Sequence, residues 1–195
     1  MAARAALDDG ADGLVSWGIA GSLHPALVPG TIVLPAEVHT AEGRRLRTDA
    51  GWRGNLRRAL SQGLAVEEGG LLSAEEVLPT PRDKARAALE SGAVAVDMES
   101  GAIGEVAMAS DRPFVVVRVI LDGAADSLPD VEGLMDQGGN RDLRAVLRLA
   151  SRPAQWSRLL VLAWRFRTAR AALTRCASYA AAEAFHYPEL SSARG

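Results

Sequence analysis

The run Phe114-Val115-Val116-Val117-Arg118-Val119-Ile120-Leu121 constrains this chain more than any other stretch. Only Arg118 interrupts its apolar character, so it offers no polar face to water. Such a strand is stable when both faces are covered, which places it inside a sheet and not on an edge. Shorter apolar runs at residues 13–19 (GLVSWGI), 31–38 (TIVLPAEV) and 93–96 (AVAV) read as further strands. Residues 67–78 (EEGGLLSAEEVL) read as a strand or an extended loop. Strands alternate with helical signals, so the expected fold class is α/β.

The helix over 80–91 is the best punctuated. Thr80 suits its N-cap, Pro81 its first turn, and Asp83 completes a capping-box spacing. Gly92 suits its C-terminal cap. Residues 53–62 form a shorter helix closed by Gly63. Residues 99–110 show helical spacing, with Ile103, Val106, Ala107 and Ser110 on one face. A helix is expected at 142–149 and a longer one at 153–185. The longer one carries Leu159, Leu162, Phe166, Ala169, Leu173, Cys176 and Ala180 in a 3-4 stripe. The expected outlet for that stripe is the protein's own sheet, with a partner chain or a membrane surface as the others. Residues 1–185 read as a single domain and 186–195 as a flexible tail.

Charge and composition exclude several classes of function. The formal net charge is -2, so no strong field for nucleic acid is implied. Lys84 is the only lysine among 22 basic residues, a bias that reads as genome composition. Cys176 is the only cysteine, which excludes an intrachain disulfide and fits a reducing, cytoplasmic compartment. The first ten residues carry no apolar signal region, and no stretch approaches the ~20 apolar residues of a membrane span. His24, His39 and His186 are scattered without zinc-ligand spacing, so no metal is expected.

Ligands of open α/β sheets bind beyond the carboxyl ends of strands. Three polar interruptions fall at such ends: Ser16 to Gly21, Asp97-Met98-Glu99, and Asp122 to Asp126. Each taken alone also reads as a cap or a turn. Their order along the chain resembles a known family. The segments VSWGIAGSLHPALVPGTIVL, AVAVDMES and FVVVRVILDGAAD are similar to those of the nucleoside phosphorylase and methylthioadenosine/S-adenosylhomocysteine nucleosidase superfamily. The resemblance covers residues 13–179. The VDMES form, and SLP after Asp126, point to its hopanoid-associated branch, whose substrate is adenosylhopane.

The resemblance implies a mixed sheet flanked by helices and cleavage of the N-glycosidic bond of an adenine nucleoside, with no organic cofactor. It assigns Met98 to the sugar face and Glu99 to the ribose hydroxyls, where a carboxylate accepts several hydrogen bonds. It assigns Asp122 to protonation of the base at N7. An ordinary aspartate, with a pKa of about 3.9, is ionised at neutral pH, so that role requires burial or hydrogen bonding. Asp rather than Asn here favours a 6-aminopurine. Arg118, four residues earlier on the same strand face, is matched to a position beside the nucleophile; pairing with a structural carboxylate is the alternative. Gly18, Ala20 and Gly21 match the loop beside base and nucleophile, and Val77 a backbone contact to the base. Asp126 reads as a turn residue and His24 as a surface residue.

Two departures accompany the match. Where phosphorolytic members place phosphate-gripping side chains, this chain has Ser16 and Ile19, so water rivals phosphate as co-substrate. The family's first strands, which precede the equivalent of Gly13, have no counterpart here, so exposed strand edges and lower stability are expected. The resemblance also implies a homo-oligomer, and a lipid-tailed substrate implies peripheral membrane contact through the 156–179 region. The alternatives are a soluble methylthioadenosine/S-adenosylhomocysteine nucleosidase, or a non-catalytic remnant that binds nucleosides or a partner subunit.

Overall fold

The computed structural model describes residues 2–128 and 153–184. In chain order these form α1 (Ala2–Asp8), β1 (Leu14–Ser22), β2 (Ile32–Val33), β3 (Glu37–Thr40), β4 (Arg45–Arg47) and α2 (Ala50–Leu60). They continue with β5 (Val66–Glu67), β6 (Gly70–Ser73), α3 (Pro81–Ser91), β7 (Ala95–Asp97), α4 (Ser100–Ala109), β8 (Phe114–Asp122) and α5 (Pro153–Ala184). The expected helix at 142–149, the 186–195 tail, and the side chains of Leu159 and Leu162 lie outside the described residues.

One mixed sheet runs in the order β4-β3-β6-β7-β1-β8-β2-β5. Every residue of β8 is buried, as its apolar run predicts. Its pleat divides the molecule into two cores. Val115, Val117, Val119 and Leu121 join Trp52, Leu56 and Leu60 of α2 and Ala169, Ala172, Cys176 and Ala180 of α5. Phe114, Val116 and Ile120 face the other way, toward Ala107 of α4 and the apolar side of α1. Arg118 and Asp122 share that second face by the period of two.

The long helix therefore packs on the protein's own sheet. Its stripe is not uniform, because Phe166 is exposed while Ala169, Cys176 and Ala180 are fully buried. The thiol of Cys176 is free, and burial pushes its pKa up to about 12. It acts as a small apolar side chain.

Several boundaries differ from the sequence reading. β1 does not end at Ile19 but continues through Ala20-Gly21-Ser22, because pairing with β8 persists across a register shift at Ala20/Gly21. The stretch 31–38 is two strands, not one. Pro35 interrupts it, and β2 pairs with β8 while β3 pairs with β6. α2 starts three residues earlier than expected because Asp49 caps it, accepting the Trp52 N–H at 2.7 Å. α3 follows its expected caps: Thr80 accepts from Asp83 N, and Gly92 adopts φ 68°.

β7 runs antiparallel to β1, meeting it at Gly21 and Ser22. The rest of that β1 edge, up to Ala20, has no strand partner among the described residues. Helix α4 buries its small residues most deeply, and Ile103 and Val106 of its apolar face pack partly buried against the same core. Ser100, Gly101, Gly104 and Ala107 are buried, Ile103 and Val106 are partly buried, and Ser110 is exposed. Small residues let the helix lie close to the sheet. A Cβ at Gly104 would stand 2.8 Å from Phe114 Cζ and 2.9 Å from Leu46 Cδ1. Gly104→Val is therefore expected to destabilise the fold by about 1–3 kcal/mol through overpacking. A lowered urea midpoint with unchanged slope is the result to look for.

Candidate active site

A cavity of about 250 Å³ opens where the tail of β1, the end of β7 and the end of β8 converge. Ala20, Gly21, Val77, Met98, Glu99 and Asp122 all line it. The antiparallel course of β7 brings this about. Its C-terminus points back along β1, so Asp97-Met98-Glu99 arrives beside Ala20 and Gly21 rather than at a separate strand end. A larger groove of about 500 Å³ adjoins it, sharing Glu76 and Leu78 and bordered by His39, Arg45, Glu75, Asp83, Arg86 and Glu90. Its charged rim is solvated and holds no buried acid, so the smaller cavity is the chemically equipped one.

Arg118, expected to touch substrate, does not itself line the cavity but contacts two residues that do, Asp97 and Glu99. It is 2% exposed, and its Nη2 lies 2.6 Å from Asp97 Oδ2 and 3.2 Å from Glu99 Oε2. The same nitrogen donates to Ser16 Oγ at 2.7 Å and Ser100 Oγ at 3.1 Å. Its Nε is buried without a partner among the described residues. Gly18 lies under this group, and a Cβ there would collide with the Arg118 guanidinium. Gly18 thus makes room for Arg118 and does not line the cavity. Ser16 is fully buried and hydrogen-bonded to Arg118, so it presents no hydroxyl to a ligand.

Asp97 holds the start of α4. Its carboxylate accepts the Ser100 N–H, at 3.2 Å to Oδ2, and the Ser100 hydroxyl at 2.5 Å. That frees Glu99, which occupies the N-cap position without making a side-chain cap bond. Glu99 keeps a 70% exposed side chain at the cavity mouth. Met98 beside it is half-exposed. Arg118 pairs with a structural carboxylate, as the alternative reading had it, and touches Glu99 as well.

Asp122 is the buried acid of the pair, with a side chain 4% exposed. Burial raises its carboxyl pKa above the ordinary aspartate value, and the hydrogen bond and charge of Lys84 pull it partway back. Lys84 Nζ donates to Asp122 Oδ2 in a buried ion pair. Asp126 closes the next turn by accepting the Gly123 N–H at 2.7 Å and pairs with Arg165 of α5 at 2.8 Å. His24 is exposed, and its Nδ1 accepts the Ala26 N–H in a turn.

Sequence reasoning passed over Lys84, Glu76 and Leu78, which also line the cavity, and the anchoring role of Asp97. Lys84 left a signal: with Ala87, Ala88 and Ser91 it lies on one 3-4 face of α3, where a lone lysine among small residues is out of place. Glu76 left none.

Comparison with known proteins agrees with this architecture. Residues 1–151 match the Phosphorylase superfamily. Over 82 residues the chain is 33% identical to the 5′-methylthioadenosine/S-adenosylhomocysteine nucleosidases of Mycobacterium bovis and Mycobacterium tuberculosis. That match spans 42% of this chain and 32% of theirs, so the chain covers about a third of these relatives. A nucleosidase of the same name from Neisseria meningitidis superimposes with TM-score 0.68 and 20% identity, over 91% of this chain and 72% of the other. The Campylobacter jejuni nucleosidase gives TM-score 0.61 and 18% identity, over 65% and 63%. Futalosine hydrolase of Helicobacter pylori, in a mutant form, gives 0.59 and 19%, over 62% of each chain. The structural likenesses establish the mixed sheet flanked by helices as this fold, and with a profile match over most of its length the chain belongs to the Phosphorylase superfamily.

Proposed function

We propose that this protein cleaves the N-glycosidic bond of an adenine nucleoside. The observation that carries the reading is one nucleoside-sized cavity bordered by a buried acid, Asp122, and an exposed carboxylate, Glu99. Asp122, held above the usual aspartate range by burial, donates its proton to N7 of the base, so that the base leaves neutral. Glu99 accepts hydrogen bonds from the ribose hydroxyls and stabilises positive charge growing on the sugar. Met98 covers the sugar face, and Val77, Ala20 and Gly21 border the base. Arg118 holds Glu99 in place from below.

Water is the nucleophile this site suits. Arg118 Nη2 already faces Asp97, Ser16, Ser100 and Glu99, and neither Ser16 nor Ile19 offers a free donor for phosphate. Relatives named for methylthioadenosine and S-adenosylhomocysteine support the adenine class and a small thioether at the 5′ position. The VDMES and SLP segments support adenosylhopane instead. Val161 and Trp164, both exposed on α5, offer apolar surface for a lipid tail at a membrane. No helix among the described residues is long and apolar enough to cross one. The chain is also expected to assemble as a homo-oligomer, which sedimentation would show.

Adenine release from methylthioadenosine, S-adenosylhomocysteine and adenosylhopane, each with and without phosphate, tests the reading. Release from at least one, unchanged by phosphate, is the expected outcome; none from any of the three would sink it. Asp122→Asn is expected to lower kcat by about 10²–10⁴-fold, and Glu99→Gln to lower kcat/KM by about 10²-fold, both with native circular dichroism. Because a raised carboxyl pKa keeps Asp122 protonated further up the pH scale, the rate should fall on the alkaline side with a midpoint above the ordinary aspartate range. A rate with no alkaline limb attributable to Asp122, unchanged in shape by Asp122→Asn, would remove Asp122 as the acid.

A further inference from the structure

Lys84 is the only lysine in a chain of 22 basic residues, and it is 1% exposed. Its Nζ donates to Asp122 Oδ2, to Gly123 O at 2.8 Å and to Asp126 O at 3.1 Å. Three N–H groups meet three oxygens, so the ammonium is fully satisfied. A point-like ammonium fits three oxygens converging on one spot, whereas a flat guanidinium would not. One turn along α3 from Lys84, Ala87 joins Leu23, Ala93 and Val96 in a buried apolar cluster. A buried pair of this kind contributes little net stability against an apolar replacement, so fold stability alone does not account for it.

The pairing is one-sided. Asp122 Oδ2 is taken by Lys84, while Oδ1 accepts no hydrogen bond among the described residues. Asp122 lines the cavity beside Gly21. The other charged groups near this carboxyl are Asp126 in the following turn, Arg165 of α5 held by Asp126, Glu76 before α3, and Asp97 and Glu99 at the end of β7, both held by Arg118.

We propose that Lys84 is a positioning residue for the cleavage: it fixes Asp122 by Oδ2, leaves Oδ1 for the base, and stabilises the carboxylate that proton donation creates. This rests on Asp122 being the general acid. As the bond from C1′ to the base breaks, its electron pair moves to the base. The Asp122 O–H breaks, its proton goes to N7 and its electron pair stays on the carboxylate facing Lys84. Water adds to C1′ and releases a proton to solvent, and a solvent proton later restores Asp122. An acid whose conjugate base already sits against a fixed ammonium needs no solvent rearrangement at the moment of transfer.

The test uses the full chain and two independent readouts. Lys84→Met and Lys84→Gln are expected to lower kcat about tenfold or more with KM within threefold, and to move the alkaline limb of the rate profile to higher pH, because the Asp122 carboxyl loses its neighbouring cation. A drop that is uniform across pH, with the limb unmoved, overturns the proposal. The second readout needs no Lys84 variant. Protein labelled with 13C at lysine Cε gives a single resonance, that of Lys84. It should titrate with the midpoint of the rate limb in the wild type and lose that step in Asp122→Asn. A resonance that ignores Asp122 overturns the proposal even if the Lys84 variants fail to fold. Absence of adenine release by the wild type overturns the general-acid reading and the catalytic role of Lys84 with it. Release by the wild type with an unmoved limb in Lys84→Met overturns the role of Lys84 alone.

Discussion

Arg118 places a permanent charge in the middle of a strand whose other inner residues are apolar. That charge has to be matched within a few ångströms, because an unpaired buried cation costs several kcal/mol. Asp97 matches it, and the hydroxyls of Ser16 and Ser100 share the same nitrogen. The partners come from β1, β7 and the first residue of α4, so one guanidinium fixes how these elements meet β8. Gly18 belongs to the same arrangement, since only a residue without a Cβ leaves space for the guanidinium. The pair adds little to net stability against an apolar alternative. Its consequence is geometric: β7 must end beside β1, and the site forms where it ends.

The same constraint separates the two acids on the cavity. Asp97 takes over the capping of α4, which leaves Glu99 free at the mouth with Arg118 behind it. Asp122 borders the same cavity, desolvated and paired with Lys84. Two carboxyl groups in such different surroundings suit different tasks, as the proposed reaction requires. Their order along the chain does not reveal this. It follows from which is buried and which cation each one faces.

Local chemistry made much of the framework legible. β8 was evident because seven apolar residues in eight can only be buried on both sides, and α3 because Thr80, Pro81 and Gly92 act within one turn of its ends. The candidate residues Met98, Glu99 and Asp122 were singled out through the ordered motifs, and they line one cavity. The end of β1 was not legible. Ala20-Gly21-Ser22 looks like a loop in isolation and is a strand because β8 and β7 supply its partners. The division of residues 31–38 between two places in the sheet was hidden as well, since Pro35 marks the break but not the destinations of the two halves.

The sequence by itself determined the two-sided burial of β8, the caps of α3, the shared face of Arg118 and Asp122, and the impossibility of an intrachain disulfide. These depend on neighbours within a few positions or on composition, where propensity and periodicity act directly. Only the tertiary structure decided that Arg118 answers to Asp97, that Gly18 serves Arg118, and that Lys84 sits against Asp122. Those contacts join residues far apart in the chain, and a buried charge reveals its purpose only when the group that neutralises it is in view.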